Sequence, residues 1–127
     1  LKTQPQECLE LGFAHGKSSC YIAAALDELG RGRLTSVDLL SSKDRDPNLE
    51  ALLERCGLTK YVTIAREPTS YTWFLKKKIQ ERSVNGGRCE PLYDFVFIDG
   101  PKSWTVDGCA FFCADKLMRE NAWILFD

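Results

Sequence analysis

The sequence has no excess of either charge: 17 Lys and Arg face 18 Asp and Glu, for a net charge of −1. It therefore lacks the field that would gather nucleic acid or an anionic membrane surface. The one basic run, Lys76-Lys77-Lys78, reads as a solvated turn closing a helix. No apolar run approaches the roughly 20 residues of a bilayer span, and no secretory leader is recognisable at the start. The six cysteines, at 8, 20, 56, 89, 109 and 113, form no Cys-x-x-Cys pair. That spacing argues against zinc ribbons and dithiol redox motifs. Cys8, Cys20, Cys109 and Cys113 fall at positions read as inward-facing, where a thiol serves as a small hydrophobe. Such cysteine usage points to a reducing compartment, the cytoplasm.

What is present is a regular alternation of apolar strands and amphipathic helices, the pattern of a parallel sheet covered by helices. At 127 residues this is one domain. Strands are predicted at Gln6–Leu11, Leu34–Val37, Tyr61–Ala65, Tyr93–Ile98 and Trp123–Phe126. A helix over Ser18–Leu29 ends at Gly30. Asp46-Pro47 reads as an N-cap with proline in the first helical position, and Gly57 stops that helix. Tyr71, Phe74, Leu75, Lys78 and Ile79 trace a third helix; Val106, Cys109, Cys113 and Leu117 trace a fourth. Asn85-Gly86-Gly87 marks a polar surface loop between them.

The first strand breaks into a glycine loop, Leu9-Glu10-Leu11-Gly12-Phe13-Ala14-His15-Gly16-Lys17-Ser18. A dinucleotide site wants Gly-x-Gly-x-x-Gly, and the middle glycine is missing, which argues against a nicotinamide-dependent oxidoreductase. Gly16-Lys17-Ser18 imitates a phosphate-binding loop, but the stretch back to Gly12 is one residue too short to wrap a phosphate. Glu10 would also oppose the phosphate charge, so the expected ligand carries positive charge near the loop. His15 lies where backbone matters more than side chain and is read as non-catalytic.

This stretch resembles the first motif of the class I methyltransferases, in the Leu-Glu-x-Gly-x-x-x-Gly-x-Ser form of the catechol and caffeoyl-CoA O-methyltransferases. The resemblance implies an α/β, Rossmann-like parallel sheet of order 3-2-1-4-5 with helices on both faces. It also implies two further strands that this sequence does not include after Asp127, so the chain reads as a cofactor-binding core, a fragment of a longer protein or a shortened relative. The implied cofactor is S-adenosylmethionine. Glu10, Gly12, Gly16 and Ser18 would serve its methionine end, Asp38 its ribose hydroxyls, and Thr69 and Ser70 its adenine edge, with Asp99 across the crevice.

Phe97-Ile98-Asp99-Gly100-Pro101-Lys102 carries a second likeness to the same enzymes. There the aspartate holds a divalent cation and the lysine takes the acceptor's proton. By resemblance Asp99 and Asp127 are metal ligands, for Mg²⁺ or another divalent cation, an asparagine expected just after Asp127 completes the set, and Lys102 is the catalytic base. A lysine serves as a base only if its pKa is depressed. Trp123-Ile124-Leu125-Phe126-Asp127 also resembles a broad bacterial methyltransferase family that usually has histidine where Lys102 stands. The expected activity is metal-assisted O-methyl transfer to a small hydroxylated molecule, with neither nucleic acid nor membrane as partner. A homodimer is compatible with the sequence. The alternative is a non-catalytic cofactor-binding or assembly domain.

Overall fold

The structure is a computed structural model and describes residues 4–84 and 87–127. Five strands, β1 (Glu7–Leu11), β2 (Arg33–Leu39), β3 (Val62–Glu67), β4 (Tyr93–Ile98) and β5 (Met118–Phe126), alternate with four α-helices among these residues. The helices are α1 (Lys17–Leu29), α2 (Leu49–Cys56), α3 (Tyr71–Arg82) and α4 (Trp104–Asp115). The sheet order is β3-β2-β1-β4-β5, as expected, and every pairing is parallel.

Alternation along β1 sorts the core into two layers. Cys8 packs with Ala23 and Leu26 of α1 and Leu49 and Leu53 of α2, whereas Leu9 and Leu11 pack with Leu75 of α3 and Ala110 and Ala114 of α4. Helices thus cover both faces, and the strands read as apolar runs because both sides are buried. The chain winds outward from β1 to β3, then returns to place β4 beside β1. That reversal opens a crevice beyond the carboxyl ends of β1 and β4.

Several local expectations are corrected. α2 is capped by Asn48, whose side chain accepts from the Ala51 amide at 3.0 Å, and not by Asp46. A 3₁₀ turn over Leu40–Asp44 takes up the chain first and delays the helix. β5 begins at Met118 rather than Trp123, its pairing with β4 shifted between Tyr93 and Phe95, with Asn121 left-handed at φ 62°. The basic run lies in the middle of α3: Lys77 pairs with the buried Glu67 at 2.5 Å and Lys78 with Glu81 at 2.7 Å. Cys8 is buried, Cys20 and Cys113 are half-buried, and Cys109 is exposed. The inward stripe of α4 passes through Ala110 and Ala114, one residue on, because small side chains let the helix sit close to the sheet. Of the predicted polar loop, Asn85 and Gly86 lie outside the described residues. No helix among the described residues is long and apolar enough to cross a membrane.

Candidate functional site

The turn after β1 is built by close backbone approach. Gly12 donates its amide to Val37 at 2.8 Å, and Asp99 donates its own to Leu11 at 2.9 Å. Gly12 is left-handed at φ 91°, and a Cβ there would collide with the Asp99 carbonyl oxygen and lie 2.8 Å from its carbon. The glycine is therefore needed so that the ends of β1 and β4 can meet; the space a side chain would enter belongs to protein backbone. Gly16 is needed against α2, where a Cβ would run into Leu49.

Asp38, at the end of β2, holds the same loop. Its Oδ2 accepts from the amides of Phe13 (3.1 Å) and Ala14 (2.7 Å), and its Oδ1 from Leu39 (2.7 Å). The carboxylate keeps Ala14 in a left-handed conformation, φ 48°, that a non-glycine residue rarely adopts. Beyond it opens a cleft of about 320 Å³, whose walls include Gly12, Asp38, Thr69, Ser70, Tyr71 and Asp99. Five of the expected cofactor residues thus share one crevice. Ser70 also caps α3, its hydroxyl accepting from the Thr72 amide at 3.2 Å.

Glu10, Gly16 and Ser18 do not line that cleft. Glu10 is fully buried beneath α1, accepting from Ser36 at 2.7 Å and from Ser19 through the same oxygen. Its other oxygen has no partner among the described residues. Burial pushes this carboxyl above its ordinary range, against the opposing pull of hydrogen bonds from Ser18, Ser19 and Ser36. The expectation that Glu10 presents charge to a ligand is corrected: the carboxylate belongs to the layer between sheet and helix. Ser18 stands half-buried in the first turn of α1. His15 is exposed, its Nδ1 3.2 Å from the Pro47 carbonyl oxygen.

Sequence reasoning missed part of the wall. Tyr71 was legible only as an apolar helix position, yet its hydroxyl donates to Asp107 and packs against Gly100. Burial, then Asp107, push that phenol far above its usual range. Arg45 and Val106 also line the cleft; no motif marks either.

On the far side of the turn after β4, Lys102 lies between two carboxylates. Its Nζ is 2.6 Å from Asp99 Oδ1 and 2.6 Å from Asp127 Oδ2. The pairing, with Asp127 first and Asp99 second, raises the lysine's pKa, and Lys102 holds Asp127 below the usual carboxylate range. With only these two carboxylates beside it, the lysine's shift runs upward, opposite to the depression that a lysine base needs. A divalent cation does not fit these residues as they stand. Two carboxylates converge, but an ammonium already bridges them; the described residues contain no group of three His, Cys, Asp or Glu side chains able to hold a metal, and the asparagine that the resemblance adds would follow Asp127. Next to this trio lies an apolar hollow of about 600 Å³, walled by Trp104, Phe111, Phe112 and Phe126, with Lys102 and Asp127 also lining it.

Comparison with known proteins agrees with this architecture. No curated protein matches the chain significantly. Among solved structures, the chain is similar to an O-methyltransferase family protein from Burkholderia thailandensis, with a TM-score of 0.67 and 14% identity. The match covers 99% of this chain and 34% of that one, so the chain spans about a third of that protein's length. At that identity the likeness establishes the fold. A methyltransferase domain family model matches residues 9–127, nearly all of the sequence and both of its glycine-loop and Asp99 motifs, and the chain belongs to that methyltransferase domain family.

Proposed function

We propose that this chain is the cofactor-binding core of an S-adenosylmethionine-dependent O-methyltransferase acting on a small hydroxylated molecule. The observation that carries the reading is the convergence of Gly12, Asp38, Thr69, Ser70 and Asp99 on one cleft at the point where the sheet reverses. The cleft suits the cofactor: it combines a carboxylate at the end of β2, backbone drawn close at Gly12, and apolar wall from Pro101 and Val106.

When bound, S-adenosylmethionine supplies an electrophilic methyl group carried on a sulfonium. Asp38 would accept from ribose hydroxyl, and Ser70 and Thr69 would meet the adenine edge. Asp99 and Gly100, at the end of β4, form the wall nearest the Lys102 trio and hence nearest the side from which an acceptor would come. The divalent cation expected at Asp99 and Asp127 is not part of the proposed reaction, because Lys102 bridges those carboxylates. Unpaired thiols support a cytoplasmic setting.

Calorimetry with S-adenosylhomocysteine tests the binding half. We expect one site, weakened at least tenfold by Asp38→Ala. Failure of the folded chain to bind the nucleoside would refute the reading. Methyl transfer is then followed with labelled S-adenosylmethionine against a panel of phenols and aliphatic alcohols; a cofactor-binding protein that methylates none of them, even in the whole protein, favours the assembly-domain reading.

A further inference from the structure

We propose that Lys102 is the resident cation of this site, filling by its own ammonium the place between Asp99 and Asp127 where the resemblance puts a divalent metal. The inference rests on the methyltransferase reading for the meaning of the place, but on geometry for its occupant. Nζ stands at 2.6 Å from an oxygen of each aspartate, hydrogen-bonding distance to both at once. The two aspartates directly follow different strands, β4 and β5, 28 positions apart in sequence, and both pair with the lysine.

The backbone is shaped to the same end. Lys102 is left-handed at φ 58°, a conformation that is rare for a long side chain and follows directly on Gly100-Pro101. A lysine merely decorating the surface would have no reason to hold it. Charge gives the second reason. Two carboxylates drawn together need a counter-charge, and one ammonium neutralises half of theirs; a divalent ion would have to displace it from both carboxylates at once, each pair being a solvent-exposed and individually weak one. An ammonium has three N–H donors, of which two are engaged here. The third is available to an acceptor oxygen, so Lys102 would orient an acceptor by donating to it. It is a positioning residue in this scheme.

The probe is Mn²⁺, followed by the loss of its free-ion electron paramagnetic resonance signal, on the chain as it exists. Wild type is expected to leave the signal unchanged up to millimolar ion. Lys102→Met keeps the aliphatic stem and bares the carboxylates, so it should bind Mn²⁺ at least tenfold more tightly than wild type, and Lys102→Met with Asp99→Asn should lose that gain. Lys102→Arg, which restores the charge, should exclude the ion again. Stoichiometric Mn²⁺ binding by wild type that Asp127→Asn abolishes would overturn the proposal, as would a Lys102→Met variant, folded by circular dichroism, that gains no affinity. S-adenosylhomocysteine binding is measured in the same samples with and without chelator. Its complete absence would sink the proposed function while leaving the Mn²⁺ result to decide the role of Lys102.

Discussion

Gly12 and Gly57 are both left-handed, at φ 91° and φ 68°, but only Gly12 is crowded, and replacing each by alanine separates conformational from packing effects. At Gly57 nothing lies within 4 Å of a built Cβ, so Gly57→Ala pays only for the backbone conformation, about 1 kcal/mol. At Gly12 the same Cβ meets the Asp99 carbonyl and lies 3.2 Å from Gly100 Cα. Both contacts are backbone, which cannot rotate aside as a flexible side chain can. A conformational term of the same kind, about 1 kcal/mol, is then joined by an overpacking term of about 1–3 kcal/mol. Gly12→Ala should therefore be the less stable variant by about 1–3 kcal/mol. Urea unfolding reads this directly, since a slope of about 1–3 kcal/mol/M converts it to roughly 1 M in the midpoint. The loss should be present without any ligand, because the carbonyl that is struck belongs to the protein. A Gly12→Ala midpoint equal to or above that of Gly57→Ala, with unchanged slope, would refute the idea that β1 and β4 depend on this close approach.

Two further outcomes follow from the buried and loop-holding carboxylates. Asp38→Ala removes the acceptor of three backbone amides and should lower stability by about 1.5–3 kcal/mol in the ligand-free chain; an unchanged urea midpoint would show that the loop stands without it. Glu10 titrates higher in the folded chain than in the unfolded one, so between those two pKa values only the folded state holds the proton. Stability should fall as pH rises through that window and level off above it, and Glu10→Gln should remove the slope and exceed wild type at neutral pH. Parallel stability curves for the two proteins from about pH 4 to 8 would count against the burial argument.

That the site residues lie on one side of the sheet was legible in the sequence for a physical reason, whereas the sheet order was read from the resemblance to class I methyltransferases. Once strands and helices alternate in a parallel sheet, the carboxyl end of every strand faces the same side, and with that order the ends carrying Gly12, Asp38, Ser70 and Asp99 come together. What was not legible depended on register or helical phase. Glu10 pairs in register with Ser36 on the neighbouring strand, and that placement, with Ser19 above, turns an apparent ligand charge into a buried carboxyl. Register is a property of two strands, and one strand's sequence does not contain it. In α4, Val106, Cys109 and Cys113 fit a helical stripe as well as Ala110 and Ala114 do. With Phe111 and Phe112 adding apolar residues on other sides, periodicity could not choose the phase. Lys102 was singled out by the resemblance, but its ion pairs were not legible, because its reach depends on its own left-handed backbone after Gly100-Pro101.

Asp38 is where fold and proposed function draw on the same atoms. A carboxylate offers about four acceptor directions, and three are already taken by the amides of Phe13, Ala14 and Leu39. Both directions of Oδ2 are engaged, leaving one on Oδ1. A ribose diol gripped through both oxygens would therefore need the loop to release a bond. Of the two on Oδ2, the 3.1 Å bond from Phe13 is the longer, whereas the 2.7 Å bond from Ala14 supports a left-handed residue. The Phe13 amide is thus the one to yield, at about 1 kcal/mol of net hydrogen-bond energy. Cofactor affinity and loop stability become competing uses of one side chain. Residues 12–16 are held in place by the protein itself before any nucleoside arrives, and a bidentate ribose contact would loosen that hold as it forms.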